Sequence, residues 1–132
     1  MTLTHHWTLE VLAEIPTTSA TWWPTVARAL DELDDRLLED AAVDEGAAGA
    51  FADAVGREPS LANESVRLVA DHQMLVERVR RLRRRVAEVA GDSAQAPAVA
   101  AELATLARAE RTYRTRSRDL FWDSFVRDIG GE

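Results

Sequence analysis

The side chains best suited to chemistry in this sequence are a histidine within a helical pattern and a pair of aspartates. His72 lies in the stretch LANESVRLVADHQMLVERVRRL, where apolar residues recur every three or four positions and the pattern predicts another Leu or Val. Asp40 and Asp44 are four residues apart, so they project from one face of a helix. Helical bundles use imidazole and carboxylate groups to bind iron or manganese, so these residues raise the question of a metal site.

Two interpretations of His72 stay open from the sequence. In the structural interpretation, His72 hydrogen-bonds to Glu110 or Tyr113 in the core and sets the register of a helical bundle, as single buried polar residues do. In the functional interpretation, His72 and carboxylates from two other helices converge on an iron or manganese ion. Burial of Asp40 and Asp44 without a partner costs several kcal/mol, so these carboxylates must face water or be paired.

The elements that must position these residues are helices, because no part of the sequence alternates with a period of two. Pro24 is tolerated in the opening turn of the first helix, and Gly56 and Gly91 are expected to close two of the others. We therefore predict an all-α protein, an up-down bundle of three long helices with short segments on the fourth side. The predicted helices span residues 21–44, 47–55, 60–90 and 96–128.

The core positions follow from the apolar repeat of each long helix. If the last two long helices pack antiparallel, His72 and Tyr113 share a layer, because each is about 18 residues from the connecting turn at roughly 1.5 Å per residue. Glu110 then lies one turn away. The repeats predict core seams at Trp23, Val26, Leu30, Leu33 and Leu37 in the first helix, at Leu61, Ser65, Leu68, His72, Leu75, Val79, Leu82, Val86 and Val89 in the second, and at Val99, Leu103, Leu106, Glu110, Tyr113, Ser117, Leu120 and Ser124 in the third.

Length and composition restrict the class of protein. The 132 residues predict one bundle domain, residues 21–132, with residues 1–20 as an N-terminal segment packed on it. The chain has no Cys, which excludes disulfides and thiolate sites. No apolar run suits a membrane span and the N-terminus lacks a signal-peptide pattern, so we expect a cytoplasmic protein without membrane contact. Because no phosphate loop, HExxH or nucleophile elbow occurs, we predict no catalytic residues and favour a non-enzymatic role.

The charge of the chain is unevenly distributed. The net charge is -7, with acidic residues in excess over residues 1–65 and arginines in slight excess over residues 66–132. Six arginines lie in the run RVRRLRRRV, whose apolar residues keep the core spacing. No aromatic residue interleaves this run, so we interpret it as a solvated face paired with the acidic first half, and we predict no nucleic-acid binding.

The end of the chain, SRDLFWDSFVRDIGGE, resembles the terminal helix of small bacterial hemerythrin-like domains. The segments DEGAAGAFADAV and DHQML are similar to the middle of that family, and the resemblance covers roughly residues 25–132 in the order and length of its segments. The resemblance implies a four-helix bundle with a carboxylate-bridged pair of iron ions, ligated mainly by His, that binds oxygen or reacts with oxidants.

The ligand positions implied by this resemblance are mostly changed here. The family's His-x-x-x-Glu on the first long helix falls on Asp40 and Asp44, and its second-helix His is present as His72. On the last helix, Tyr113 stands near the expected His, and the following acid is retained as Asp119. We therefore predict that the di-iron site has been lost and that no cofactor is bound. The alternative is an altered iron or manganese site, with the candidate ligands His72, Asp40, Asp44, Asp119, Tyr113 and Glu110.

The C-terminal helix carries more apolar surface than one core seam can bury. Its apolar residues point in at least three directions; they are Leu120, Phe121, Trp122, Phe125, Val126 and Ile129. Some of them, among them the aromatic residues Phe121, Trp122 and Phe125, either pack on the N-terminal segment and on Trp22 or Trp23, or form an interface with a second copy or another protein, where aromatic anchors are favoured. From this helix and the changed ligands we predict a structural, regulatory or protein-interaction module, with a homodimer or a protein partner on the aromatic helix.

Overall fold

Helices make up nearly all of the chain that the structure describes. The structure is a computed structural model that describes residues 16–44 and 49–130, with side chains described as far as Val126. Within these ranges lie four α-helices and no strand, which confirms the prediction of an all-α helical bundle. The helices are α1, Trp22–Asp44; α2, Ala50–Arg57; α3, Ala62–Val89; and α4, Ala96–Gly130.

The helix ends agree with the sequence in most places and differ at α2. Gly91 adopts a φ of +88° two residues after the end of α3, as expected for a glycine that stops a helix. Gly56, by contrast, lies inside α2 and does not close it. The helix ends at Arg57 because Glu58 precedes a proline, which disfavours the helical conformation, and its backbone is extended (φ -139°, ψ 91°).

Between α2 and α3, residues Pro59–Leu61 form a single 3₁₀ turn. The Glu58 side chain accepts a 2.8 Å hydrogen bond from the Ser60 hydroxyl and a 3.3 Å hydrogen bond from the Ser60 backbone N–H. The predicted start of the second long helix at Ser60 therefore falls in this turn, and α3 begins two residues later.

The three long helices run up, down and up. Side-chain contacts show that α1 and α3 are antiparallel, because Leu37 meets His72 while the earlier Asp34 meets the later Arg83. The same holds for α3 and α4, since Arg85 near the end of α3 pairs with Glu102 near the start of α4. The short helix α2 lies mainly against the C-terminal half of α4 and fills part of the fourth side.

The core follows the predicted seams, except that Trp23 is replaced by Trp22 in α1 and that Ser65, Val89, Glu110 and Ser117 are only half-buried. Trp22 is fully buried, whereas the predicted Trp23 is only partly buried and packs edge-on against it, with ring centroids 4.8 Å apart. The reason is the rotation of α1 about its axis, which turns the row of residues that begins with Trp22 and Val26 towards the core. The other buried core residues include Leu30, Leu33, Leu37, Leu68, His72, Leu75, Val79, Leu82, Val86, Val99, Leu103, Leu106, Tyr113 and Leu120.

Two further predictions concern the packing of the N-terminal segment and the absence of a membrane-spanning helix. The packing of the N-terminal segment lies outside the described part of the chain, except for Pro16–Trp22, where two turns lead into α1. No helix among the described residues has both the length and the apolar composition needed to cross a membrane.

Candidate functional site

A layer of polar side chains crosses the bundle at the level of His72. The rings of His72 and Tyr113 lie 5.5 Å apart between centroids, and both side chains are buried. This confirms that α3 and α4 place the two residues in one layer, as their equal distances from the connecting turn predict. The layer therefore brings together two of the candidate ligands, one from α3 and one from α4.

The imidazole of His72 is bound to the backbone of α1. Its Nε2 atom lies 2.7 Å from the carbonyl oxygen of Leu37. A carbonyl oxygen only accepts, so Nε2 carries the proton and donates the hydrogen bond. A protonated nitrogen has no lone pair for a metal, so Nε2 is not a ligand while this bond is formed.

The carboxylate of Glu110 is held between two arginines. Arg36 on α1 donates a 2.8 Å hydrogen bond to Oε1 of Glu110, and Arg114, one turn further along α4, bonds to the same oxygen. Arg114 also lies 3.5 Å from Oδ2 of Asp40. These contacts join α1 to α4 and balance the charge of Glu110, whose side chain is mostly buried.

Asp40 and Asp44 open onto a cavity of about 300 Å³ between α1, α2 and α4, which Tyr113 and Ser117 also line. Burial raises the pKa of Asp44 above its ordinary value, and the negative charge of Asp40 adds to this rise. Electrostatic interactions with His72 and Arg114 act in the opposite direction. The structure thus brings the two aspartates and Tyr113 to one place.

Asp119 lies apart from this group. It is exposed on the surface of α4 and does not line the cavity of the two aspartates. Across the described ranges, no set of three or more His, Cys, Asp or Glu side chains is arranged to hold a metal ion. Nε2 of His72 is used by the carbonyl of Leu37, and Oε1 of Glu110 is used by Arg36 and Arg114, so these two atoms are not available to a carboxylate-bridged di-iron centre. An altered site with fewer ligands stays a prediction.

The C-terminal half of α4 presents four large apolar side chains to solvent, which we name the aromatic face. Their exposed fractions are 38% for Phe121, 65% for Trp122, 38% for Phe125 and 52% for Val126. The rings of Phe121 and Phe125 pack edge to face with centroids 5.1 Å apart. Large exposed apolar side chains gathered on one surface mark sites of protein association.

Arg57 fixes one edge of the aromatic face, and sequence reasoning did not identify it. Its guanidinium lies 3.9 Å from the ring centroid of Phe125 and 5.2 Å from that of Phe121. It donates hydrogen bonds of 2.9 and 3.2 Å to the hydroxyl oxygen of Ser124, which is fully buried. Ser124 in turn donates to the carbonyl of Phe121 at 2.6 Å. A polar residue at the seam position 124 was the only signal in the sequence.

The arginine run of α3 pairs with the acidic α1, as predicted. Asp34 is buried and bonds to Arg83 at 2.6 Å and to Arg80 at 3.4 Å. Arg83 also pairs with the exposed Asp31 at 2.8 Å. At the other side of α3, Arg85 pairs with Glu102. Half of the six arginines therefore stabilise contacts between helices.

Comparison of the chain with protein-family models, curated proteins and solved structures found no match. The resemblance to hemerythrin-like domains therefore stays a prediction from the residues quoted above.

Proposed function

We propose that this chain is a non-enzymatic helical-bundle module that pairs with a second copy of itself through the aromatic face. The observation that carries the proposal is the exposure of Phe121, Trp122, Phe125 and Val126 on two successive turns of α4. Trp is the side chain most often found to dominate binding energy, and Trp122 is the most exposed of the four.

A second copy of the chain offers the aromatic face a surface of matching chemistry. In a two-fold interface the same patch lies on both subunits, so the exposed apolar side chains of one copy are covered by those of the other. Arg118 is exposed beside this face, whereas Asp123 lies about 140° further round the helix and outside it.

The packing behind the face supports the same proposal. Arg57 lies over two of the rings and holds Ser124 beneath them, so the aromatic side chains are positioned before a partner arrives. Such pre-positioning lowers the entropy lost on association. The polar layer, in contrast, is used within the fold, because His72 bonds to α1 and Glu110 links α1 to α4.

The test is the oligomeric state measured by sedimentation velocity over a range of concentrations. We expect a dimer for the wild type and a monomer for Trp122→Asp, because a carboxylate cannot be buried unpaired in an apolar interface. Met74→Asp is the matched control, since Met74 is 60% exposed on α3 and lies outside the face. A wild type that stays monomeric at all concentrations, or a control that dissociates equally, contradicts the proposal.

Circular dichroism separates loss of association from loss of folding, because it checks that the helices of each variant remain. Trp122→Ala is a milder variant at the same exposed position, and it should weaken the dimer and keep the helical signal of the wild type. Unchanged sedimentation of both Trp122 variants contradicts the proposal.

A second candidate function is an altered metal site. It is favoured by one observation, the common cavity of Asp40, Asp44 and Tyr113, because carboxylate and phenolate oxygens are suitable ligands for hard cations. The test is the metal content of the purified protein, which is described with its control variants in the Discussion.

A further inference from the structure

A groove of about 600 Å³ runs between α1 and α3 at the end of the bundle opposite the aromatic face. Its volume is within the range of pockets that bind small molecules. One part of it is apolar and one part is charged. The apolar part is lined by Trp23, Pro24, Ala27, Val86, Ala87 and Ala90.

The charged part of the groove is made of Arg80, Arg83, Arg84 and Asp31. Because α1 and α3 are antiparallel, Asp31 lies level with the arginines, and Trp23 lies level with the last turn of α3. The groove is therefore cationic towards the middle of the bundle and apolar towards its end. Helix α3 rises about 15 Å from Arg80 to Ala90, and this distance is the length of the groove from its cationic part to its apolar end.

The arginines of the groove differ in their pairing. Arg83 forms ion pairs with Asp31 at 2.8 Å and with Asp34 at 2.6 Å, so the negative charge of Asp31 is balanced by Arg83. Arg80 is held loosely, with one contact of 3.4 Å to Asp34 and a half-exposed side chain. Arg84 is exposed and forms no ion pair within the described part of the chain. Among the described residues that form this part of the groove, Arg80, Arg83 and Arg84 face Asp31 and Asp34, so positive charges outnumber negative charges by one beside the apolar wall.

We infer that this groove binds a medium-chain fatty carboxylate. The carboxylate lies at Arg84 and Arg80, where the uncompensated positive charge is found, and the alkyl chain runs along Val86, Ala87 and Ala90 towards Trp23. A dodecanoate chain has a length comparable to that of the groove. The apolar wall supplies the hydrophobic contribution, and the arginines set the direction of the chain.

The experiment is isothermal titration calorimetry of the full chain with sodium dodecanoate below its micelle concentration. Arg84→Glu should raise Kd by about fivefold or more, the size expected when an exposed ion pair is replaced by repulsion. Ala87→Phe should abolish binding by filling the groove without a change of charge. The matched controls are Arg108→Glu and Ala98→Phe, which alter exposed positions of α4 outside the groove.

Two further ligands test the two parts of the groove separately. Dodecyltrimethylammonium has the same chain with a positive head and should bind more weakly than dodecanoate, and acetate should not bind. Equal binding of the cation, or a dodecanoate Kd unchanged in both groove variants, overturns the inference. Absence of binding to the wild type overturns it as well. None of these outcomes depends on the aromatic face, so the dimer proposal is tested independently.

Discussion

The Nε2–H of His72 donates a 2.7 Å hydrogen bond to the carbonyl oxygen of Leu37, and this bond joins α3 to α1 inside the core. The acceptor belongs to the backbone, so it is present whatever side chain occupies position 37. A histidine on a core seam is therefore explained by a donor that links two helices, with the ring of Tyr113 packed beside it. The partner is neither of the two side chains that the sequence suggested.

Replacement of His72 tests this structural role. His72→Gln keeps an N–H donor of similar reach, so we expect a loss on the order of 1 kcal/mol in the free energy of unfolding. His72→Ala removes the donor and leaves a cavity, and should cost more. Urea unfolding measures both variants, with the exposed Gln73→Ala as a control that should change little. A loss for His72→Gln that appears only when iron is present would indicate a ligand instead.

Arg57 should stabilise the contact between α2 and α4. Arg57→Ala removes the cation–π contacts with Phe121 and Phe125 and the hydrogen bonds to Ser124, so we expect a loss of about 1–2 kcal/mol. Thermal unfolding followed by circular dichroism measures it. Arg67→Ala is the control, because Arg67 is an exposed arginine of α3 outside these contacts. Equal melting temperatures for the two variants would show that the contacts of Arg57 do not contribute to the stability of the fold.

Asp44 should make stability depend on pH in a defined direction. Burial, with the charge of Asp40, raises the pKa of Asp44 in the folded state. The folded protein then holds this proton more tightly than the unfolded chain, so the contribution to stability is present below the ordinary pKa and is lost as pH rises through the folded value. We expect Asp44→Asn to raise the melting temperature at about pH 7.

The same substitution should have little effect near pH 3, where Asp44 is protonated in both the folded and the unfolded protein. Asp53→Asn on the exposed side of α2 is the matched control, and its difference from the wild type should not follow this pattern. If Asp44→Asn lowers the melting temperature at about pH 7, the carboxylate makes a favourable contact there and the expected sign is wrong.

The metal content distinguishes the two proposed functions. Protein purified without a tag from cells supplied with iron and manganese should contain well below one metal ion per chain, measured by elemental analysis. Added iron should leave the melting temperature unchanged, since a ligand at 100 times its Kd would stabilise the fold by about 2.7 kcal/mol. Near-stoichiometric metal that is lost in Asp44→Asn and kept in Asp53→Asn would establish the altered site.

The periodicity of apolar residues in the sequence was sufficient to predict most of the fold. The three–four repeat of α3 places Leu68, His72 and Leu75 on one buried row, and all three are buried in the structure. The end of α2 was missed by two residues, because Gly56 breaks a helix only weakly, whereas the proline after Glu58 stops it. Trp22 and Trp23 are adjacent and equally apolar, so the choice between them required the packed position of α1.

The sequence by itself determined which residues share a face of each helix, and so it predicted that His72 and Tyr113 lie in one layer. Only the tertiary structure decided what each polar group contacts. Leu37 and His72 are 35 residues apart, and Arg57 and Ser124 are 67 apart. The position of a residue in a helix fixes only the side of that helix on which its side chain lies. A contact between two helices also depends on how each helix is rotated about its axis and how far it is shifted along the other. That information comes from packing of the whole core.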